Sequence, residues 1–298
     1  MSFRIRARPN WQISKKCDIL TGNMEINQNP LYGRKVIFLN PVFSTRTVII
    51  PRLVEEEFEV YTIAEYQDAK NVLREFPDAL CFINIDDKLS HEQWFNFIMS
   101  CKEEIPSIIF GVLSSHMSRT DGRMFMDNAA VAAGFIMMEE SLESTTQIII
   151  KILNRFGAKG RRQYVRASCA DAANASVQVE HDGKEHTLLL IDISVAGAAC
   201  ILQKQHADFF HVNSMLRNVS VRLGDKSFEC AATVYASMPN QNYSKLVLLF
   251  SQELSLTAKK IIHDYITSSL QHNVNSIINA HPKDTTDYAT KTHGKKNQ

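Results

Sequence analysis

The pattern of apolar residues changes near residue 158, and this change divides the chain into two folding units. From residue 35 to 157, short apolar runs alternate with longer stretches of helical composition. From residue 158 to 272, short runs with alternating apolar residues are separated by turn signals such as Asp182-Gly183 and Gly224-Asp225. The first pattern is typical of α/β folds, and the second is typical of all-β folds. We therefore expect a multidomain protein.

The first unit predicts a parallel sheet with helices on both faces. Strands are predicted at residues 36–39, 60–63, 80–83, 108–113 and 134–138, and helices between them at 49–58, 65–76, 91–104 and 120–130. Ile149, Ile152, Leu153 and Phe156 recur at helical spacing and predict a fifth helix that ends at Gly157. Alternation of strands and helices over this length indicates a parallel sheet, because each helix serves as a crossover between parallel strands.

The second unit predicts a small antiparallel barrel closed by a helix. Six strands are expected at residues 176–180, 185–191, 198–202, 219–223, 228–235 and 246–250. Ile262, Tyr265, Ile266 and Leu270 then define one face of a terminal helix that would cap the barrel. Residues 1–34, which are polar and lack periodicity, are expected to form an irregular arm, and residues 273–298 a flexible tail.

Two polar clusters in the second unit have the chemistry of a nucleotide-binding site. The first contains Arg161, Arg162 and Arg166, and the second is the segment Asp192-Ile193-Ser194-Val195-Ala196-Gly197. Guanidinium groups pair with phosphate oxygens and can also stack on a flat ring. A carboxylate at Asp192 can accept from the N–H edge of a guanine, and Ser194 supplies a hydroxyl. Gly197 allows a sharp turn or a close backbone approach to a ligand.

The order and spacing of these clusters resemble the paired signature of the PilZ family, small β-barrel receptors for the bacterial messenger cyclic di-GMP. The resemblance covers roughly residues 160–272. It implies that Arg161, Arg162, Arg166, Asp192, Ser194 and Gly197 bind cyclic di-GMP as a ligand rather than as a catalytic cofactor. In that family an arginine at the position of Arg161 tends to accompany two intercalated ligand molecules. The implied protein is an effector that changes domain orientation or partner binding, and so regulates motility, attachment or virulence through an unidentified downstream protein.

The first unit resembles the receiver domain of two-component response regulators, but it lacks the chemistry of that domain. A receiver needs an acidic pair after the first strand, an aspartate after the third, a hydroxyl after the fourth and a lysine after the fifth. The corresponding segments here are Leu39-Asn40-Pro41, Ile83-Asn84-Ile85 and Met137-Met138-Glu139. Ser114 or Ser115 could supply the expected hydroxyl, but Asp86 and Asp87 lie late and face no acidic pair. We expect a pseudo-receiver that serves for docking or homodimerisation and is not phosphorylated.

Composition and motif content narrow the remaining function classes. The formal net charge is +1, so any attraction for phosphates must be local. No metal site is expected, because His206 and His211 lack a nearby cysteine or acidic ligand pattern. The chain contains no nucleophile elbow, phosphate-binding loop or dinucleotide fingerprint, so we expect that it is not an enzyme.

Cellular location is also predicted from the composition. The six cysteines are scattered without a paired motif and are expected to be reduced core residues. No apolar run approaches the roughly 18 to 20 residues that would span a bilayer. We therefore expect a cytoplasmic protein.

Two alternatives to ligand binding stay open. One is an interaction adaptor in which both domains are degenerate, although retention of every signature position argues against it. The other is a nucleic-acid-binding regulator that uses the basic cluster for phosphate contacts. The near-neutral charge and the absence of a helix-turn-helix pattern weaken this second alternative.

Overall fold

The computed structural model describes residues 33–289, except for 119, 128–129, 139–140, 170–173, 182, 204–209, 240–242 and 252–253. Nearly all of the predicted N-terminal arm lies outside the described residues, and so do Cys17 and residues 290–298 of the predicted tail. The described part forms an α/β domain followed by a β-barrel domain, and a long helix packs against both.

The N-terminal domain contains a five-stranded parallel sheet, as predicted. Its strands are β1 (Val36–Leu39), β2 (Val60–Ile63), β3 (Leu80–Asn84), β4 (Ile109–Ser114) and β5 (Gly134–Met137). They lie in the order β2-β1-β3-β4-β5. This is the flavodoxin-like order, in which the order of successive strands reverses between β1 and β3. The predicted α/β fold class is therefore confirmed.

Helices cover both faces of this sheet, because its central strands are apolar throughout. The helices are α1 (Ile50–Glu55), α2 (Tyr66–Glu75), α3 (His91–Glu104), α4 (Arg123–Met126) and α5 (Leu142–Arg155). Ile37 and Leu39 of β1 belong to the core that also contains buried residues of α2 and α3. Their neighbours Val36 and Phe38 belong to the second core, with buried residues of α1 and α5. Side chains that alternate along a strand thus supply both cores.

Two helix predictions in this domain are wrong in extent. Instead of one helix over residues 49–58, a π-helical turn at Thr45–Ile49 leads into the short helix α1. The helix predicted over residues 120–130 is reduced to the four residues of α4. Gly122 precedes α4 and lies against the ring of Phe135, where an added Cβ would be 2.9 Å from a ring carbon. The close packing on Phe135 requires glycine at residue 122, and glycine disfavours helix. The helix therefore begins only after Gly122.

The C-terminal domain is a closed antiparallel barrel of six main strands, and this prediction is confirmed. These strands are β7 (Ala175–His181), β8 (Lys184–Ser194), β9 (Gly197–Gln203), β10 (Met215–Leu223), β11 (Lys226–Pro239) and β12 (Tyr243–Phe250). Pairing of β8 with β9 closes the barrel. A short strand that the sequence does not predict, β6 (Ala167–Ser168), pairs with the end of β8.

Helix α6 (Leu256–Ala280) follows the barrel and is longer than predicted. Ile262, Ile266 and Leu270 are buried as expected, and Val274 extends the same face beyond the predicted end. The expectation of a flexible tail from residue 273 is therefore wrong for residues 273–289. The period of the buried residues continues to Val274 because the last turns pack on the N-terminal domain instead of the barrel.

Gln271 of α6 binds the edge strand of the N-terminal sheet. Its side-chain oxygen accepts from the backbone N–H of Thr62 at 3.0 Å, and its amide nitrogen donates to the carbonyl of Thr62 at 2.9 Å. Thr62 lies in β2, which is at the edge of the sheet. Edge strands expose unpaired backbone groups. One glutamine side chain therefore replaces part of the missing strand neighbour and joins the two domains.

Residues 281–289, which we call the C-terminal segment, cross helices α2 and α3. Asn71 donates to the carbonyl of Pro282 at 2.9 Å, and Asn96 donates to the carbonyl of Tyr288 at 3.1 Å. The ring of Tyr288 is buried and makes an edge contact with Phe97 at 5.3 Å between centroids. The C-terminal segment thus holds the end of α6 on the N-terminal domain.

Asp284 adds an ionic contact to the C-terminal segment. Its carboxylate lies 3.6 Å from the ammonium of Lys70. Partial burial disfavours the ionised form, but hydrogen bonds from Thr286 and Tyr288, together with Lys70, outweigh it and lower the pKa of Asp284 to about 2. The carboxylate therefore stays ionised over the whole physiological pH range.

Candidate functional site

The residues that connect the two domains, 158–166, carry all three predicted arginines, and we call them the arginine arm. The arm begins directly after α5 and ends at β6. Gly33 lies against its first residues, where an added Cβ would come within 1.9 Å of the carbonyl oxygen of Ala158. Only glycine fits at residue 33, so the chain entering β1 and the arm are packed backbone to backbone.

Arg166 and Asp192 form an ion pair, which brings together the two sequence clusters. The guanidinium nitrogen Nη1 of Arg166 lies 3.3 Å from Oδ1 of Asp192. The short strand β6 explains this contact, because Ser168 is registered opposite Asp192 and Arg166 lies just before β6. Both side chains are partly exposed, at 49% and 27%. Exposed pairs of this kind contribute roughly 0 to 1 kcal/mol, so a ligand can displace the pair at little cost.

Ser194 and Gly197 close the turn between β8 and β9. They are registered opposite each other, with Val195 and Ala196 as the loop between them. The hydroxyl of Ser194 is buried and donates to the carbonyl of Gly197 at 3.4 Å. A Cβ on residue 197 would lie 2.0 Å from the carbonyl oxygen of Leu248. Glycine is therefore required here for the close approach of β12, a role that the turn pattern alone does not predict.

Arg162 and Arg166 line a cavity of about 160 Å³ between the arm and the N-terminal domain. Arg161 is exposed next to them in the sequence. The cavity is also lined by four charged residues that the sequence analysis does not identify: Lys35, Glu57, Glu59 and Lys159. The structure thus brings Arg162 and Arg166 to one cavity and Arg166 to Asp192, while Ser194 and Gly197 form the adjacent turn of the barrel.

The acidic residues of the cavity come from the loop before β2 and already have partners. One carboxylate oxygen of Glu57 accepts from the backbone N–H of Val165, in the arm, at 2.9 Å. The other lies 2.8 Å from Nε2 of His263, in α6. Glu59 pairs with Lys35 at 2.5 Å. No local motif marks these residues, because they belong to the other domain and approach the arm only after folding.

Lys159 also contacts the N-terminal domain. Its ammonium lies 4.7 Å from the centroid of the Phe58 ring, within the range of a cation–π contact. Phe58 is buried, and in the sequence it lies between Glu57 and Glu59. The loop before β2 thus contacts the start of the arm through the Phe58 ring and the end of the arm through the Glu57 hydrogen bond.

The carboxyl edge of the parallel sheet is where a receiver has its phosphorylation site, and here other residues occupy it. Asn84 ends β3 and is buried. Asp86 accepts from the hydroxyl of Ser114, and its second oxygen accepts from the backbone N–H of Ser115 at 2.7 Å. Asn40 donates to Asp87. Both aspartates are therefore engaged in local hydrogen bonds that link the ends of the strands.

Within the described ranges, no cluster of three or more histidine, cysteine, aspartate or glutamate side chains could hold a metal ion. The five cysteines in these ranges are free thiols, and burial raises the pKa of Cys101 to about 12 and that of Cys169 to about 11. Among the helices of the described residues, none is both long and apolar enough to cross a membrane.

Comparison with known proteins identifies the C-terminal domain. Residues 160–268 match the family model of the PilZ domain. The match begins in the arginine arm, includes the whole barrel and ends within α6. It therefore includes all six predicted site residues. No curated protein is significantly similar to the chain.

Several solved structures resemble parts of the chain. The PilZ domain of YcgR from Escherichia coli with c-di-GMP is 17% identical, with a TM-score of 0.35, over 41% of this chain and 99% of that one. The inhibitor of motility from Bacillus subtilis is 23% identical, with a TM-score of 0.32, over 39% of this chain and 52% of that one. A response regulator from Thermotoga maritima is 21% identical, with a TM-score of 0.35, over 41% of this chain and 98% of that one.

The similarity to some of these proteins is partial. The chain spans about half the length of YcgR in its complex with c-di-GMP, 52%, and about half of MrkH, 51%. The N-terminal domain is assigned from its own strand order, which is that of receiver domains. The described part of the chain therefore contains a flavodoxin-like N-terminal domain with the strand order of receiver domains, followed by a domain that matches the PilZ family model.

Proposed function

We propose that the chain binds cyclic di-GMP where the arginine arm meets the barrel. The observation that supports this most directly is the ion pair between Arg166 and Asp192, which joins the two signature clusters within the PilZ match. The similar PilZ domain of YcgR from Escherichia coli with c-di-GMP supports the choice of ligand. In this proposal the role of the protein is ligand binding, and it carries out no reaction.

The proposed contacts follow from the chemistry of the side chains. Arg162 and Arg166 provide paired donors for phosphate oxygens, and a guanidinium plane can also cover a guanine ring. Asp192, once released from Arg166, can accept from the N–H edge of a guanine. Ser194 and Gly197 would act mainly by fixing the turn that holds Asp192, since their own groups are engaged in the barrel.

Ligand capture would move the arm. The cavity of about 160 Å³ is smaller than the roughly 300–1,000 Å³ of pockets that hold drug-sized ligands. The arm contacts the N-terminal domain through Val165 and Lys159. Its reorganisation would therefore alter the contact between the domains or the surface offered to a protein partner. The inhibitor of motility among the similar structures makes motility one process that such a change could regulate.

Calorimetric titration with cyclic di-GMP tests this proposal, with GMP and ATP as control ligands. Each charge-assisted hydrogen bond contributes about 1.5 to 3 kcal/mol, so Arg162→Ala and Arg166→Ala should each weaken binding at least about tenfold. Arg222→Ala is a matched control, because Arg222 is an exposed arginine on β10 outside both clusters. Equal affinities for the native chain and both arm variants would show that the ligand, if bound, lies elsewhere.

A further inference from the structure

Glu57 occupies an unusual position at the junction of three segments. Its backbone φ is +62°, in the left-handed region that glutamate rarely adopts. Its side chain is only 12% exposed, and each carboxylate oxygen has a partner, Val165 in the arm and His263 in α6. Backbone conformations of this kind persist only where surrounding contacts enforce them, and they often occur at functional sites.

The Glu57 contact holds the arginine arm near its C-terminal end. Val165, whose N–H donates to Glu57, lies directly before Arg166 and three residues after Arg162. Both arginines line the same cavity as Glu57. If the arm moves away from the N-terminal domain, this hydrogen bond breaks. A carboxylate oxygen and a backbone N–H then lose their partners, which costs free energy.

The charges in the cavity, like the Glu57 hydrogen bond, favour contact of the arm with the N-terminal domain. Glu57 places a carboxylate in the cavity that is lined by Arg162 and Arg166, whereas the charge of Glu59 is offset by its ion pair with Lys35. Carboxylates attract the same guanidinium groups that would bind ligand phosphates, and they repel the phosphates themselves. The N-terminal domain therefore offers the arm an anionic partner in place of the ligand.

We infer that Glu57 is an autoinhibitory contact through which the receiver-like domain lowers the affinity of the PilZ domain for its ligand. This inference rests on the proposed binding of cyclic di-GMP. It assigns the receiver-like domain a role that needs no phosphorylation, because the fold itself positions the inhibiting carboxylate. His263 is a positioning residue, since it holds the second carboxylate oxygen from α6.

The variant Glu57→Gly separates this role from a role in folding. Glycine adopts positive φ without strain, so the substitution removes the carboxylate while the backbone conformation is preserved. Glu56→Gln is the matched control, because it removes one negative charge from the adjacent residue, which is partly exposed and paired with Arg52 at 3.3 Å. We expect Glu57→Gly to bind cyclic di-GMP about tenfold more tightly than the native chain and Glu56→Gln to bind with native affinity.

A second measurement needs no ligand. Trypsin cleaves after arginine, so the rate of cleavage at Arg161, Arg162 and Arg166 reports how firmly the arm is held. We expect several-fold faster cleavage there in Glu57→Gly than in either the native chain or Glu56→Gln. Native affinity together with native cleavage in Glu57→Gly would refute the inference. If the native chain binds no cyclic di-GMP, the proposed function fails, whereas faster cleavage in Glu57→Gly would still demonstrate the restraint of the arm.

Discussion

At the scale of single residues, the charged groups of the arm are held by interactions that can be exchanged. Arg166 is paired with Asp192, but both are partly exposed, and the pair is worth little in water. In the proposed complex, a phosphate would replace the carboxylate at Arg166, and the freed carboxylate of Asp192 would bind a base. Ser194 and Gly197 differ from them, because they are buried and serve the close packing of β8, β9 and β12.

Arg161 provides a prediction at the same scale. It is exposed beside the two cavity arginines and would add a third guanidinium for a second stacked ligand. By the family resemblance we expect about two cyclic di-GMP molecules per chain, falling to about one in Arg161→Leu with binding retained. The stoichiometry of a calorimetric titration measures this. A value of one for the native chain, or an unchanged value in the variant, would leave Arg161 with only a favourable position after helix α5.

The candidate site could be only partly predicted from the sequence. Arg162, Arg166 and Asp192 are recognisable because their types and spacing suit a phosphate and a guanine. The close approach that requires Gly197, and the acidic residue Glu57, could not be found in this way. Both depend on contacts between segments that are distant in the sequence, and no local pattern encodes them.

At the scale of elements, the strands and the helices α2 and α3 are predicted from the sequence, and the errors in extent fall on α1, α4 and α6. Short apolar runs bounded by turn residues locate every strand of the sheet and the barrel to within a few residues, except the two-residue β6. The extents of α1, α4 and α6 are less well predicted than those of α2 and α3, because tertiary contacts decide where these three helices begin or end. Gly122 packs on the Phe135 ring where α4 starts later than predicted. The N-terminal domain contacts the last turns of α6, which is longer than predicted.

The C-terminal segment gives a prediction at this scale. Tyr288 is buried in an aromatic cluster with Tyr66 and Phe97, so Tyr288→Ala should destabilise the chain by about 3 kcal/mol. Tyr235→Ala is the control, because Tyr235 is 63% exposed on the barrel. The midpoint of urea unfolding, compared between the two variants, measures the difference. Equal midpoints would mean that the segment contributes nothing to the stability of the N-terminal domain.

At the scale of the whole molecule, α6 belongs to both domains. Its first turns cover the barrel, and Gln271 binds the edge strand β2 of the other domain. The PilZ match ends at residue 268, inside the helix and before Gln271. A chain that ends at residue 268 would therefore retain the matched region but lose a contact of the N-terminal sheet.

Hydrogen exchange tests this arrangement. In a chain that ends at residue 268, the amide of Thr62 loses its acceptor, and we expect its exchange to be at least about tenfold faster than in a chain that ends at residue 289. The amide of Val112 in the interior strand β4 reports the loss of global stability that removal of residues 269–289 also causes, so the increase at Thr62 should exceed the increase at Val112. Unchanged protection of Thr62 would show that the edge strand does not need Gln271.

The shared helix also limits how the two domains can be exchanged by recombination. Modules that are joined by a linker can be recombined with new neighbours, because a crossover in the linker leaves both cores intact. Here a crossover just after the barrel would replace α6 and the C-terminal segment, so Thr62 of β2 would lose Gln271 and Asn71 of α2 would lose Pro282. The two halves are therefore expected to persist through evolution as one unit, with their order and their junction preserved together.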